Sequence, residues 1–315
     1  MVSAMAHPKL NITTLDFYSG EPGIKIVDCA KALSLYNRRS YRSGYVYSID
    51  YIEYVGTVGD IVTIAVLPTT YGLLGAYRLG FEAWLEQRAE AIDETGIEPG
   101  KWSDFKPFYN EDHFQGAVGG WPELEPRGMD GTLTLQPLDQ TGAEWNRAEI
   151  VHNDFAAATA TTIAVGMLGS SNLPVFYGSL MDQYGVLRSP TLSPDPLVPA
   201  VASGAWITRT SEASAEMTSD VINLVEDEND QPPYANQADI ALPPTYVGNN
   251  ESAPGGIMLD GSTAGTTGRS VNLNGGLVPL GLLAISTAGG AYTLRVHMTR
   301  GEYKGVAAKS MGSFR

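Results

Sequence analysis

Few side chains in this sequence are spaced for chemistry. The four histidines, His7, His113, His152 and His297, are scattered, with no HxxxH or HxH spacing to bring two imidazoles to one metal ion. Asp112–His113 and His152–Asp154 set a carboxylate near an imidazole, the pairing that could orient a general base. Neither pair is joined by a GxSxG elbow, a GxxxxGK[ST] phosphate loop or a strand-borne GxGxxG. The 35 acidic residues form no paired constellation of glycosidase type. Chance adjacency accounts for both His–Asp pairs, and the chain is read as a non-enzyme.

Cys29 is the single cysteine, so neither an intrachain disulfide nor a thiolate metal site can form; within Ile24–Ala30 it reads as a small buried apolar residue. One acidic cluster, Glu226, Asp227, Glu228 and Asp230, crowds five positions. A solvated loop face is the plain reading. The sharper one is a set of hard oxygen ligands for Ca²⁺ at a boundary between subunits; an EF-hand is excluded, because its glycine and distal glutamate are missing.

The basic residues show more pattern. Residues 1–43 carry Lys9, Lys25, Lys31, Arg38, Arg39 and Arg42 against three acidic groups, and residues 291–315 carry Arg295, Arg300, Lys304, Lys309 and Arg315 against one. The 247 residues between hold nine basic and 31 acidic groups, within a net charge of −15. Two basic ends around an acidic middle suit a protein whose ends face a polyanion and whose loops face outward. Solubility alone also explains such a distribution.

The elements that must hold these residues are mostly strands. Leu10–Tyr18, Gly23–Ala30, Tyr45–Val55 and Asp60–Leu67 are β-prone. In Tyr45–Val55, Tyr45, Tyr47, Ile49 and Tyr51 share a face opposite Ser48 and Asp50. Asp60–Leu67 is a continuous apolar run that predicts burial on both faces, and Val55–Gly59 is short enough to join the two as a hairpin. Residues 73–93 break the pattern: Leu74, Tyr77, Phe81, Trp84 and Leu85 at helical spacing predict a helix that docks on the sheet, stopped by Gly96 and Pro99. Strands resume at Gly131–Leu138, Ala148–His152, Thr161–Leu168, Gly256–Leu259, Ser270–Leu273, Leu277–Ser286 and Ala291–Arg300, with a short helix in Pro174–Tyr184. Long ordered loops are expected at 98–129 and 185–256. The prediction is a mainly β chain: an antiparallel β-sandwich of jelly-roll type, a single domain over 1–315 with one long helix. No run of 18 apolar residues predicts a membrane span, and MVSAMAHPKLNITT holds no signal-length apolar run.

The segments YNRRSYRSGYVYSIDYIEY, GDIVTIAVLPTTYG, GFEAWLEQRAEAI and KWSDFKPFYNEDH, with GGLVPLGLLAIS and AYTLRVHMTRGEYKGV later in the chain, resemble capsid proteins of small circular single-stranded DNA viruses. The resemblance covers about a third of the chain and implies a jelly-roll subunit that assembles into an icosahedral shell, in a virion, around single-stranded DNA. Many such proteins open with a long Arg/Lys-rich arm, and MVSAMAHPKLNITT is not one. Genome contact then falls to Lys25, Lys31, Arg38, Arg39, Arg42, Arg300, Lys304, Lys309 and Arg315, with Ca²⁺ between subunits as the one candidate cofactor. Charged residues make up only 17% of the chain, which fits surface hidden against copies of itself. The competing reading is a carbohydrate-binding or adhesin-like β-sandwich that uses Trp102, Trp121 and Trp145; a β-sandwich hydrolase comes third.

Overall fold

The computed structural model describes residues 11–96, 103–116, 118–129, 135–138, 145–154, 159–172, 175–185, 256–264 and 270–313. Four strands lead: β1 (Thr14–Ser19), β2 (Gly23–Asp28) and, after helix α1 (Cys29–Asn37), β3 (Tyr45–Val55) and β4 (Ile61–Val66). Helices α2 (Tyr71–Thr95) and α3 (Glu111–Gln115) follow, with β5 (Arg127–Met129), β6 (Leu135–Pro137), β7 (Glu149–Asp154), β8 (Thr159–Gly166) and β9 (Tyr177–Ser179). The later strands are β10 (Ile257–Thr263), β11 (Val271–Asn274), β12 (Leu277–Pro279), β13 (Leu282–Thr287) and β14 (Tyr292–Met298). Three short ones succeed them: β15 (Arg300–Gly301), β16 (Gly305–Val306) and β17 (Ala308–Ser310).

The first four strands pair antiparallel with four later ones in reverse order: β1 with β14, β2 with β13, β3 with β11 and β4 with β10. This nesting is a long antiparallel ribbon rolled over on itself, the jelly-roll arrangement. Two sheets result, ordered β1-β14-β3-β11 and β10-β4-β13-β2, while β12 and β17 pair along the start of β3. Between the sheets lies a core that includes Leu15, Phe17, Ile52, Ile64, Leu283 and Val296, all at most 1% exposed. The expected mainly β, antiparallel sandwich is what the chain forms.

A second core lies on the other face of the β10-β4-β13-β2 sheet. Ile26, Leu282 and Ala284 meet Leu73 and Leu79 of α2, Ile150 of β7 and Ile163 of β8 in one cluster. Helix α2 starts where the Thr70 side chain accepts from the Leu73 amide, and it ends at Gly96, whose φ of 64° suits a residue without a side chain. Its predicted aromatic stripe is used for packing: Tyr77, Phe81 and Trp84 gather around Phe105, with ring centroids 5.7 to 5.9 Å from it. Among the described residues no helix is long and apolar enough to cross a membrane.

Several local expectations change. The segment Val55–Gly59 does not close a hairpin, because β3 and β4 lie in different sheets. It is an arch across the sandwich, held by Asp60, whose carboxylate accepts from the Tyr54 hydroxyl and from the amides of Ala288 and Gly289. The alternation in β3 also slips. The register with β14 shifts between Tyr51↔His297 and Ile49↔Met298, so Tyr47 and Ile49 point inward, Tyr51 points out, and Ile52 and Tyr54 point inward again. A bulge at Asp50 does this. Strand β4 is covered on both faces only in part, since Ile61 is 59% exposed. The apolar run Leu277–Ser286 is two strands in different sheets, split at Leu280 and Gly281, both at positive φ. Residues 28–37, read partly as strand, contain α1, which Asp28 caps by accepting from the Lys31 amide at 2.9 Å. The stretch 98–129 includes α3 and β5 rather than loop alone, and the predicted short helix is confined to 180–185, after β9. The expected loop at 185–256 lies almost wholly outside the described residues.

Candidate nucleic-acid interface

The two basic ends of the sequence meet in space. Helix α1 ends at Arg38, which adopts a left-handed φ of 52°, and the chain then runs through Arg39 and Arg42 into β3. Strand β14 leads into the β15–β16 hairpin, which carries Arg300 and Lys304, and Lys309 sits in β17, opposite Val46 of β3. Polar bonds close the two segments together. Asn11 donates to the Lys304 carbonyl at 2.6 Å and Tyr41 donates to the same oxygen at 2.8 Å. The Arg42 amide donates to the Tyr303 hydroxyl at 3.1 Å, and the Lys304 ammonium donates to the Ser40 carbonyl. Arg39 reaches Asn11 at 3.4 Å. Arg38, Arg42, Arg300, Lys304 and Lys309 are exposed, and Arg39 is half-buried.

Aromatic rings floor this patch. Tyr45 and Tyr303 stack at 4.2 Å, Tyr41 meets Tyr303 edge-on at 6.0 Å, and the Lys304 ammonium lies 5.1 Å from the Tyr303 ring. Cations beside the half-buried rings of Tyr45 and Tyr303, with Tyr41 buried beneath them, make a surface that can neutralise phosphates and offer π-faces to bases. Burial pushes the Tyr41 and Tyr303 phenols above their ordinary range, so both stay neutral.

The other predicted basic residues are placed differently. Lys31 is tied to Glu123 at 2.8 Å. Lys25 is half-buried in β2, opposite Ile285 of β13, in the other sheet. Arg315 and the acidic set Glu226, Asp227, Glu228 and Asp230 lie outside the described residues. Among the described residues no group of three or more His, Cys, Asp or Glu side chains is close enough to hold a metal ion. Cys29 is fully buried, and burial pushes its thiol up.

One constellation joins residues that are far apart in the sequence and carry no shared motif there. Arg147, just before β7, sits between Asp28 and Glu123: Nη2 donates to Asp28 at 2.8 Å and to Glu123, and Nε donates to Glu123 at 3.1 Å. His113 accepts the Tyr109 amide on Nδ1 at 3.0 Å, so the neutral ring donates from Nε2 to Glu123 at 2.9 Å. The Trp145 indole donates to Asp28 at 2.9 Å. The network fastens the segment between α3 and β7 to the capped start of α1, with the His113 and Arg147 side chains only 2% and 8% exposed. Burial alone raises the Glu123 carboxyl, but Arg147, His113 and Lys31 outweigh it and hold it well below the usual carboxylate range. Burial lowers the imidazole of His113 despite its bond to Glu123.

Both shifts make the unfolded chain bind more protons than the folded one, so stability rises with pH across their windows. It should therefore begin to fall below about pH 6.5, as His113 protonates in the unfolded chain, and fall further below about pH 4.5, as Glu123 does. Urea melts across this range should show both limbs in the parent, and the upper one should shrink in His113→Gln, with the remainder left to His297, whose imidazole burial also lowers.

Compared with known proteins, the chain matches no family model, no curated protein and no solved structure. Its class therefore rests on its own geometry: a jelly-roll β-sandwich with a second core over one sheet and a tyrosine-floored basic patch at one end of the other.

Proposed function

We propose that this chain is the coat subunit of a small virus, assembling with its own copies into a closed icosahedral shell around single-stranded DNA. The observation that carries the proposal is the nested pairing of eight strands into the two jelly-roll sheets, an architecture that capsid and lectin domains share. Two further features favour the capsid over the lectin. Arg38, Arg39, Arg42, Arg300, Lys304 and Lys309 come from both basic ends of the sequence into one region, as a subunit that meets a polyanion requires. The tryptophans proposed for sugar stacking serve inside the molecule: Trp121 packs on the second core, and Trp145 is bound to Asp28 with Lys106 over its ring at 4.9 Å. Trp102 lies outside the described residues.

Assembly is the test. A shell of about sixty copies of a 33.7 kDa chain weighs about 2 MDa, so light scattering after size exclusion and negative-stain images should show closed particles on that scale. A protein that stays monomeric across salt and pH, with or without added single-stranded DNA, overturns the proposal.

A further inference from the structure

On its outer face the β1-β14-β3-β11 sheet arranges two polar rows by register. One runs Thr14, His297, Tyr51; the next runs Asp16, Arg295, Glu53, Asn272. Asn274 stands opposite Tyr51 on β11. The imidazole of His297 stacks on Tyr51 at 4.0 Å and 15°, and its Nδ1 lies 3.3 Å from the Thr14 hydroxyl, while its Nε2 is enclosed with no hydrogen-bond partner. Arg295 is neutralised in place by Asp16 at 2.6 Å and Glu53 at 3.3 Å. Beside these rows an open pocket of about 330 Å³ is lined by Tyr51, Glu53, Ser270, Asn272, Leu273 and Asn274.

We propose that this pocket binds a neutral saccharide of one or two rings. Its lining supplies what a sugar needs: amides that both donate and accept, a carboxylate that accepts a hydroxyl beside its bond to Arg295, a serine hydroxyl, and a stiffened aromatic ring for the C–H face. Tyr51 is 37% exposed, large enough a surface to stack on. An anionic ligand is disfavoured because Arg295 is already paired with Asp16 and Glu53, and the Asp260 carboxylate, which accepts from the Asn274 amide at 2.6 Å, stands beside the pocket. An apolar ligand would strand the side-chain amides of Asn272 and Asn274 without partners. The pocket is lined by residues of a single chain, so its test does not require assembly.

The test is saturation-transfer NMR on the full chain with glucose, galactose, mannose, N-acetylglucosamine and lactose, and with N-acetylneuraminic acid as the charged comparison. At least one neutral sugar should receive saturation at millimolar concentration, and Tyr51→Ala should weaken its binding about tenfold or more. Tyr51→Phe, which keeps the ring, should retain binding, and Asn272→Ala should reduce it, with circular dichroism confirming the fold of each variant. Absence of transfer to every neutral sugar, transfer to N-acetylneuraminic acid alone, or undiminished binding by both Tyr51→Ala and Asn272→Ala would each overturn the assignment. If Tyr51→Ala does not fold, Asn272→Ala decides.

Discussion

Replacing Arg147 with Met should lower the unfolding free energy by about 3–5 kcal/mol, the range found when one partner of a buried ion pair is deleted. Met fills most of the volume but leaves Asp28 and Glu123 facing each other without the guanidinium between them. Lys31 and His113 still serve Glu123, whereas Asp28 keeps only the Trp145 indole and the Lys31 amide. The loss should be felt at a distance, because Asp28 caps α1 and the Leu124 amide, next to Glu123, donates to Ile26 of β2 at 2.7 Å. Urea unfolding of parent and variant measures it. Adding Asp28→Asn and Glu123→Gln to Arg147→Met should restore part of the stability, since the uncompensated charges are then gone. Arg295 gives the contrast: it also holds two carboxylates, but its side chain is 45% exposed, and Arg295→Met should change stability by about 1 kcal/mol or less. A similarly small change for Arg147→Met would show that water, rather than the guanidinium, satisfies the two carboxylates.

The second large effect concerns the basic patch. Changing Arg38, Arg39, Arg42, Arg300 and Lys309 together to Gln should reduce affinity for single-stranded DNA by about 10²–10³ at 0.1 M salt and flatten the salt dependence by up to about 3.5 in log–log slope. Those values follow if each cation neutralises one phosphate, at about 0.7 counter-ion per contact on a single strand. Lys304 is left in place because it lies over the Tyr41 and Tyr303 rings and donates to Ser40, so removing it would disturb the fold of the patch. The remaining bonds of the patch run mainly through backbone and tyrosine hydroxyls, which the substitutions keep. Fluorescence anisotropy with a labelled oligonucleotide at several salt concentrations measures both quantities. An unchanged slope would remove the patch from nucleic-acid contact while leaving the fold, and shell formation, to be judged separately.

Periodicity carried the sequence some distance. Tyr292, Leu294, Val296 and Met298 alternate inward in β14 as their spacing predicts, and α2 spans the segment where apolar residues recur at helical intervals. Where a local rule was broken, spacing misled. The Asp50 bulge reverses the faces of β3 midway, and nothing in YVYSIDYIEYV marks it, because a bulge shows itself only against a partner strand. Helix α1 had one local sign, the aspartate that caps it, in front of a run of alanines and leucines that also reads as strand.

The amino-acid sequence by itself determined the β class, the long helix and the location of basic charge at its two ends, because each depends on side chains that are neighbours along the chain. Only the tertiary structure decided which strand pairs with which, that Val55–Gly59 arches between sheets, and that Asp28, His113, Glu123 and Arg147 converge. Ladder hydrogen bonds are made by a backbone that every residue shares, so they name no partner. The choice falls to the burial of whole faces and to charges that must find one another once water is excluded.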